Sequence, residues 1–350
     1  MKSFFTPKWL SLIGLFLLLM GVWYEPTREM TAVIGGLFLA WLLAVGLHEL
    51  GHVMTGRWKG FEFGFLAFGP IQFEQTKSGI QLRENKRWFF FGGVAMMVPP
   101  LVKKEALIPK WAAFAAGGPI LSFIAGIIFY LLFDWTSNEF FFYLAIMNAC
   151  IFAATIVPLK SNMRTDGYIL LTLIKKNEEA GKLMDELVIM REMLSKKHPL
   201  EWNRDFIQEA KQKEAVEENV QFFLMNYYFE IEQHGFPSAE EAMVPYVQIP
   251  ITKNNKFQMA FLTHMKQLSC FLNGEANIKE ITRLQNSLSN IEPVSYYRGK
   301  AIIAHLQNDH ERARSYLKKV NEIILNNQPL YGFYQAEKTL SNLVEAKMTG

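Results

Sequence analysis

The reading of this chain turns on residues 30–52, MTAVIGGLFLAWLLAVGLHELGH. From 30 to 47 no residue is charged, and then His48, Glu49 and His52 follow within five positions. Two histidines at i and i+4 share one face of a helix, where both imidazoles reach one metal ion. The glutamate between them is placed to take a proton from a metal-activated water. Ionisable groups inside an apolar span are costly and mark function. A zinc-binding pattern is therefore expected inside a membrane helix, with Zn2+ as the partner that offsets burial of three polar groups.

Outward from this segment, the apolar residues crowd into the first 174 of 350 positions, and the rest is charged, helix-forming sequence. The expected fold is mostly α: a polytopic membrane helix bundle of about four spans, a small membrane-associated β insertion, and a C-terminal soluble α-helical domain. The domains are expected at 1–175 and 176–350. A net charge of +3, with Lys and Arg not gathered into an aromatic-rich stripe, excludes nucleic acid as the expected partner. Cys150 and Cys270 fall in different halves and form neither a disulfide framework nor a metal cluster.

Residues 9–24 are uncharged and end Met20-Gly21-Val22-Trp23-Tyr24, without a small-x-small cleavage pattern. They read as an uncleaved, short first span of roughly 24 Å, and a secretory signal is the competing reading. The second span runs from 30 to about 55, the third over 111–133 with Gly117-Gly118-Pro119 near its start, and the fourth over 140–159. Residues 57–110 alternate at 61–65, 71–74 and 80–83, which predicts a small antiparallel sheet against the membrane surface. Residues 88–100 are apolar but broken by Gly92-Gly93 and Pro99-Pro100, and read as a re-entrant loop.

The loop 57–110 carries nine Lys and Arg against four Glu, whereas the links assigned to the other side carry Arg28 alone against Glu25, Glu29, Asp134 and Glu139. The positive-inside rule then places both termini in the cytoplasm of what is expected to be a bacterial cell membrane. From Glu178 the text is helical, with breaks at His198-Pro199, Gly235 to Pro237, Asn273-Gly274 and Pro293. Residues 297–320 resemble one tetratricopeptide unit, but no fixed period follows, so a plain helical bundle stands beside that reading.

Catalytic zinc takes three protein ligands and leaves a fourth position open. Position 58, where a metzincin would have its third histidine, is Trp58. Glu74 lies in strand-like sequence. Asp166, at the membrane boundary on the side of the histidines and followed by Gly167, is the better-placed third ligand.

His48-Glu49-Leu50-Gly51-His52 in one span, Gly118-Pro119 early in the next and Asp166-Gly167 after the one beyond resemble the site-2 protease family of intramembrane zinc metalloproteases. The resemblance covers roughly residues 30–175. It implies zinc held by His48, His52 and Asp166, Glu49 as general base, and cleavage of membrane proteins or membrane peptides in or beside their spans. The chain departs from the family pattern at Thr155 to Pro158, at Tyr168 after Asp166-Gly167, and at Ser122, where an asparagine is common. Asn148 and Asn162 stand nearby, and an interhelical hydrogen bond is the expected role of Asn148. The partners expected are the lipid bilayer, a membrane-embedded substrate and a regulatory protein on the C-terminal domain. The rival function is a non-proteolytic adaptor that retains the zinc site and acts through its helical tail, and a zinc transporter is a further alternative. Strand pairing of an unwound substrate with 61–84 is a further expectation.

Overall fold

A computed structural model describes residues 6–160, 164–252, 255, 256, 258–275, 277–288 and 292–349, and it divides into two compact units at Met184 and Asp185. In the first unit, α1 (Pro7–Trp23) is followed by a single 3-10 turn and α2 (Arg28–Trp58). Pro7 starts α1 where its missing N–H costs nothing. The two helices run antiparallel in close contact, with Leu18 against Gly35 and Thr31 filling the space beside Gly21. After the β insertion come α3 (Lys104–Thr136), α4 (Glu139–Ile156) and α5 (Asp166–Lys175).

Among the described residues, three helical stretches are long and apolar enough to cross a membrane: Glu25–Trp58, Lys104–Thr136 and Glu139–Ile156. The first expected span, α1, has 17 residues and is shorter than these. The third starts earlier than expected because residues 104–110, though charged, extend α3 by two turns, and Pro109 is accommodated near its start.

α2 and α3 are antiparallel and meet backbone to backbone. A Cβ on Gly51 would stand 2.3 Å from the Gly117 carbonyl oxygen, and one on Gly117 would stand 2.4 Å from that of Gly51. Any side chain there would force the helices apart, which is the use membrane bundles make of small residues.

The β insertion has four strands rather than three: β1 (Glu62–Phe68), β2 (Ile71–Thr76), β3 (Gly79–Glu84) and β4 (Val94–Val98), all antiparallel in the order β3-β2-β1-β4. The stretch read as a re-entrant loop thus contains an edge strand. The sheet does not lie flat at the helix ends. The β1–β2 turn at Gly69 (φ +50°) packs on Leu42, Phe68 packs on Gly46, and the Phe91 ring lies 5.8 Å from that of Trp41. Leu42 is 16 residues from Trp58, so the sheet reaches about 24 Å along α2. Packing of Phe68 on Gly46 and of Phe91 on Trp41 holds this placement, and alternation within the strands gave no sign of it.

The second unit begins within α6 (Glu178–Met193) and continues through α7 (Arg204–Gln212), α8 (Val220–Gln233), α9 (Phe236–Val247), α10 (Ala260–Leu272), α11 (Ile278–Ser287), α12 (Pro293–Leu306), α13 (His310–Asn327) and α14 (Tyr334–Thr349). Its apolar core includes Trp202, Phe223, Tyr227, Met259, Leu262, Ile302 and Leu340. Through that core runs a buried polar chain. Arg298, fully enclosed, donates to Glu337 Oε2 (2.6 Å), to Ser341 Oγ (3.0 Å) and to His264 Nε2 (3.0 Å). Tyr228 donates to the other Glu337 oxygen, and His264 Nδ1 meets Gln267 Oε1 at 3.2 Å. Burial, with Arg298 beside it, holds the His264 ring well below its ordinary pKa, so it is neutral and accepts from the guanidinium.

Candidate metal centre and active site

α2 carries His48 and His52 one turn apart, both buried, and their Nε2 atoms lie 3.3 Å from each other. Asp166, the first residue of α5, brings its Oδ2 to 3.2 Å from His48 Nε2 and 3.4 Å from His52 Nε2. Asp166 is fixed there by two local devices. The Thr165 hydroxyl accepts from the Tyr168 N–H and donates to the Val157 carbonyl, capping α5 against the end of α4. Gly167 lies so close to the Ile156 carbonyl that no Cβ would fit.

Three donor atoms converging from two buried histidines and a half-buried aspartate could hold a cation between them. Ligand atoms about 2.0–2.2 Å from a tetrahedral zinc stand about 3.3–3.6 Å apart, so separations of 3.2, 3.3 and 3.4 Å match a shared ion. The cradle for it is the missing side chain of Gly118 on α3, where a Cβ would stand 2.3 Å from His52 Nε2 and 2.7 Å from His48 Nε2. The other ring nitrogens face acceptors. His52 Nδ1 is 2.8 Å from the Phe114 carbonyl oxygen, and His48 Nδ1 is 3.0 Å from Ser122 Oγ. With Nδ1 as donor in each ring, both Nε2 lone pairs point at the common point.

Glu49 is buried on the neighbouring face of α2. The Ala95 backbone, on the edge strand β4, lies beside its carboxylate. Gly93, at φ +104°, allows this approach: a Cβ there would stand 2.6 Å from Glu49 Oε1 and 2.7 Å from Val45 Cγ1. Gly93, Ala95, Phe114 and the role of Gly118 as a cradle were not read from the sequence. All four act through main-chain atoms or an empty space, and the Gly92-Gly93 pair and the Gly117-Gly118-Pro119 run were the only signals of them.

Of the other sequence candidates, Glu74 sits in β2 and pairs with Arg83 of β3 at 3.1 Å, apart from the histidines. Among the described residues, the group able to hold a metal is His48, His52 and Asp166. Asn148 is fully buried, but its Nδ2 donates to Leu144 O in its own helix and its Oδ1 has no partner among the described residues. The expected interhelical bond is absent there because α3 presents Gly126, which has no side chain to offer. Asn162 lies outside the described residues. Tyr168 donates its hydroxyl to Glu179 on α6.

Against known families, residues 36–331 match the pattern that defines peptidase family M50, the site-2 protease family. The chain belongs to peptidase family M50. The match spans the three apolar stretches in whole or in large part, the sheet, Asp166 and most of the second unit. Membership makes the chain a membrane protease of the metal-dependent kind, and among the described residues the His-His-Asp group could hold the metal ion. Comparison with curated proteins and with solved structures finds no match.

Proposed function

We propose that this M50 chain is a zinc-dependent intramembrane endopeptidase that hydrolyses peptide bonds in or near membrane spans of its substrates. The observation that carries the proposal is the convergence of His48, His52 and Asp166 over the Gly118 gap, with Glu49 one residue away on the same helix. His48, His52 and Asp166 hold the ion. Bound there, zinc supplies Lewis acidity that polarises the scissile carbonyl and acidifies a water. Glu49 accepts the water's proton on its carboxylate and returns it to the leaving amine. The Ala95 backbone lies beside that carboxylate.

A helical substrate hides its carbonyls in its own hydrogen bonds, so a stretch of it unwinds before attack. The unwound stretch pairs as a strand with the protein. Residues 71–75 cannot serve, because β2 is paired on both sides. The open edge beside Glu49 is that of β4. In the remaining architecture, α1 forms a fourth crossing beside α2, which its antiparallel contacts and about 25 Å length support. The proteolytic part comprises residues 1–175 and precedes a cytoplasmic helical domain, residues 176–350, whose helical hairpins recruit or gate through a regulatory protein.

One experiment tests the core of this. Purified protein is expected to hold about one zinc per chain and His48→Ala to lose it. Glu49→Gln is expected to keep the zinc, lose cleavage by a factor of about 10²–10⁴, and retain uncut membrane protein on purification. In that trapped complex, a photoreactive group at Val94 is expected to reach the substrate, and capture from Gln72 instead would overturn the β4 pairing. Cleavage surviving in Glu49→Gln would remove the general-base role. Zinc bound without any hydrolysis by the wild-type chain would favour the adaptor reading.

A further inference from the structure

We propose that Ser122 is a positioning residue of the metal centre, accepting the Nδ1–H of His48 and so aiming the opposite nitrogen at the point shared with His52 and Asp166. The inference rests on the zinc reading above and adds to it a residue outside the ligand set. Its basis is the face that α3 turns toward α2. Phe114, Gly118 and Ser122 follow one another at intervals of four and so share that face. Each meets the histidine helix differently: the Phe114 carbonyl takes His52 Nδ1, Gly118 leaves the gap, and Ser122 Oγ takes His48 Nδ1.

The two rings are therefore secured by unlike groups. His52 is held by the main chain, which no substitution removes. His48 is held by a hydroxyl that is wholly enclosed, 0% exposed, at 3.0 Å. A buried hydroxyl at this distance from an imidazole N–H is either its acceptor or an uncompensated polar group in an apolar bundle. The Gly118 main chain also packs closely against the His48 ring. Loss of the Ser122 hydroxyl thus leaves the ring partly secured, which sets the expected effect at the lower end of the 10–100-fold range for removal of such supports.

The test uses the full chain in detergent, with zinc affinity measured by chelator competition and the site then loaded with cobalt(II) for its visible absorption spectrum. Ser122→Ala is expected to weaken zinc by about tenfold and to alter the cobalt spectrum. Ser122→Thr, which keeps the hydroxyl, is expected to return both toward wild type. A merely structural serine would lower the metal-free melting temperature without moving the metal affinity or the cobalt spectrum. Unchanged zinc affinity and cobalt spectrum in Ser122→Ala overturn the inference. So does a lowered metal-free melting temperature with affinity intact. A wild-type chain that binds no zinc overturns the zinc reading itself, a result separate from either.

Discussion

A methyl group at position 118 would stand 2.3 Å from His52 Nε2 and 2.7 Å from His48 Nε2, in the space the three ligand atoms share. Gly118→Ala is therefore expected to lower zinc affinity by at least about 100-fold while leaving the helix intact, because alanine favours a helix interior over glycine by about 1 kcal/mol. Metal content measured beside circular dichroism checks this, and an alanine variant that still held one zinc per chain would refute it. At this scale His48, Glu49, His52 and Asp166 were legible because charge stands out against apolar sequence. Gly118, Gly93 and Ala95 were not, because a glycine's meaning depends on the atoms that face it and a backbone contact is written by no particular letter. Glu74 carried the right chemistry, and only its pairing with Arg83 across the sheet removes it from the site.

Helices of the first unit, apart from the seven charge-rich residues that open α3, were readable to within a few residues for the same reason that membrane spans are, since long uncharged runs admit few alternatives. The strand β4 was not. Val94–Val98 reads V-A-M-M-V, apolar on both faces, and its flanking Gly-Gly and Pro-Pro pairs looked like breaks when they are its ends. In the second unit, helix existence was readable and helix pairing was not, and one polar contact shows what binds neighbouring helices. Glu230 on α8 is gripped by Lys211 of α7 (2.7 Å), Ser238 of α9 (2.6 Å) and His234 of its own helix (2.8 Å). Burial alone would push the Glu230 carboxyl up, but these bonds outweigh it and bring it from 4.5 down to about 2. A carboxyl lowered in the folded state stabilises fully above its unfolded pKa and loses that contribution as pH falls through the folded one. The grip of α7 and α9 on α8 is thus expected to weaken between about pH 4.5 and 2, by at most about 3 kcal/mol. Pepsin cleavage within α7–α9 of the full chain is expected to rise through that window, and Glu230→Gln is expected to be as readily cut at pH 4 as wild type is near pH 2. Equal resistance of the two proteins at pH 4 would count against it.

For the whole molecule, membrane orientation follows from charges that the folded chain gathers at one end. Arg57, Lys59, Lys103, Lys104 and Lys110 lie where α2 ends and α3 begins, and the Lys110 ammonium donates to the Lys59 carbonyl. Trp58 marks that end, and Trp23 and Trp135 mark the opposite one, as aromatic residues do at the two interfaces. In a cysteine-free background, an impermeant maleimide added outside intact cells is expected to label Ser137→Cys and to spare Ser78→Cys. The reverse pattern would invert the orientation.

The two kinds of proposed metal ligand sit on distant pieces of chain, the histidines ending at residue 52 and the carboxylate at 166. A shared ion is therefore also a fastener that closes a loop of about 114 residues holding the whole sheet and two membrane helices. In the random-chain limit, cross-linking a loop of that length is worth roughly 4–5 kcal/mol, and less for a chain already confined to a bilayer. An inhibitor that strips the metal would then act twice: it would stop the chemistry and unbuckle the bundle, leaving a target for the cell's quality-control proteases rather than an idle enzyme.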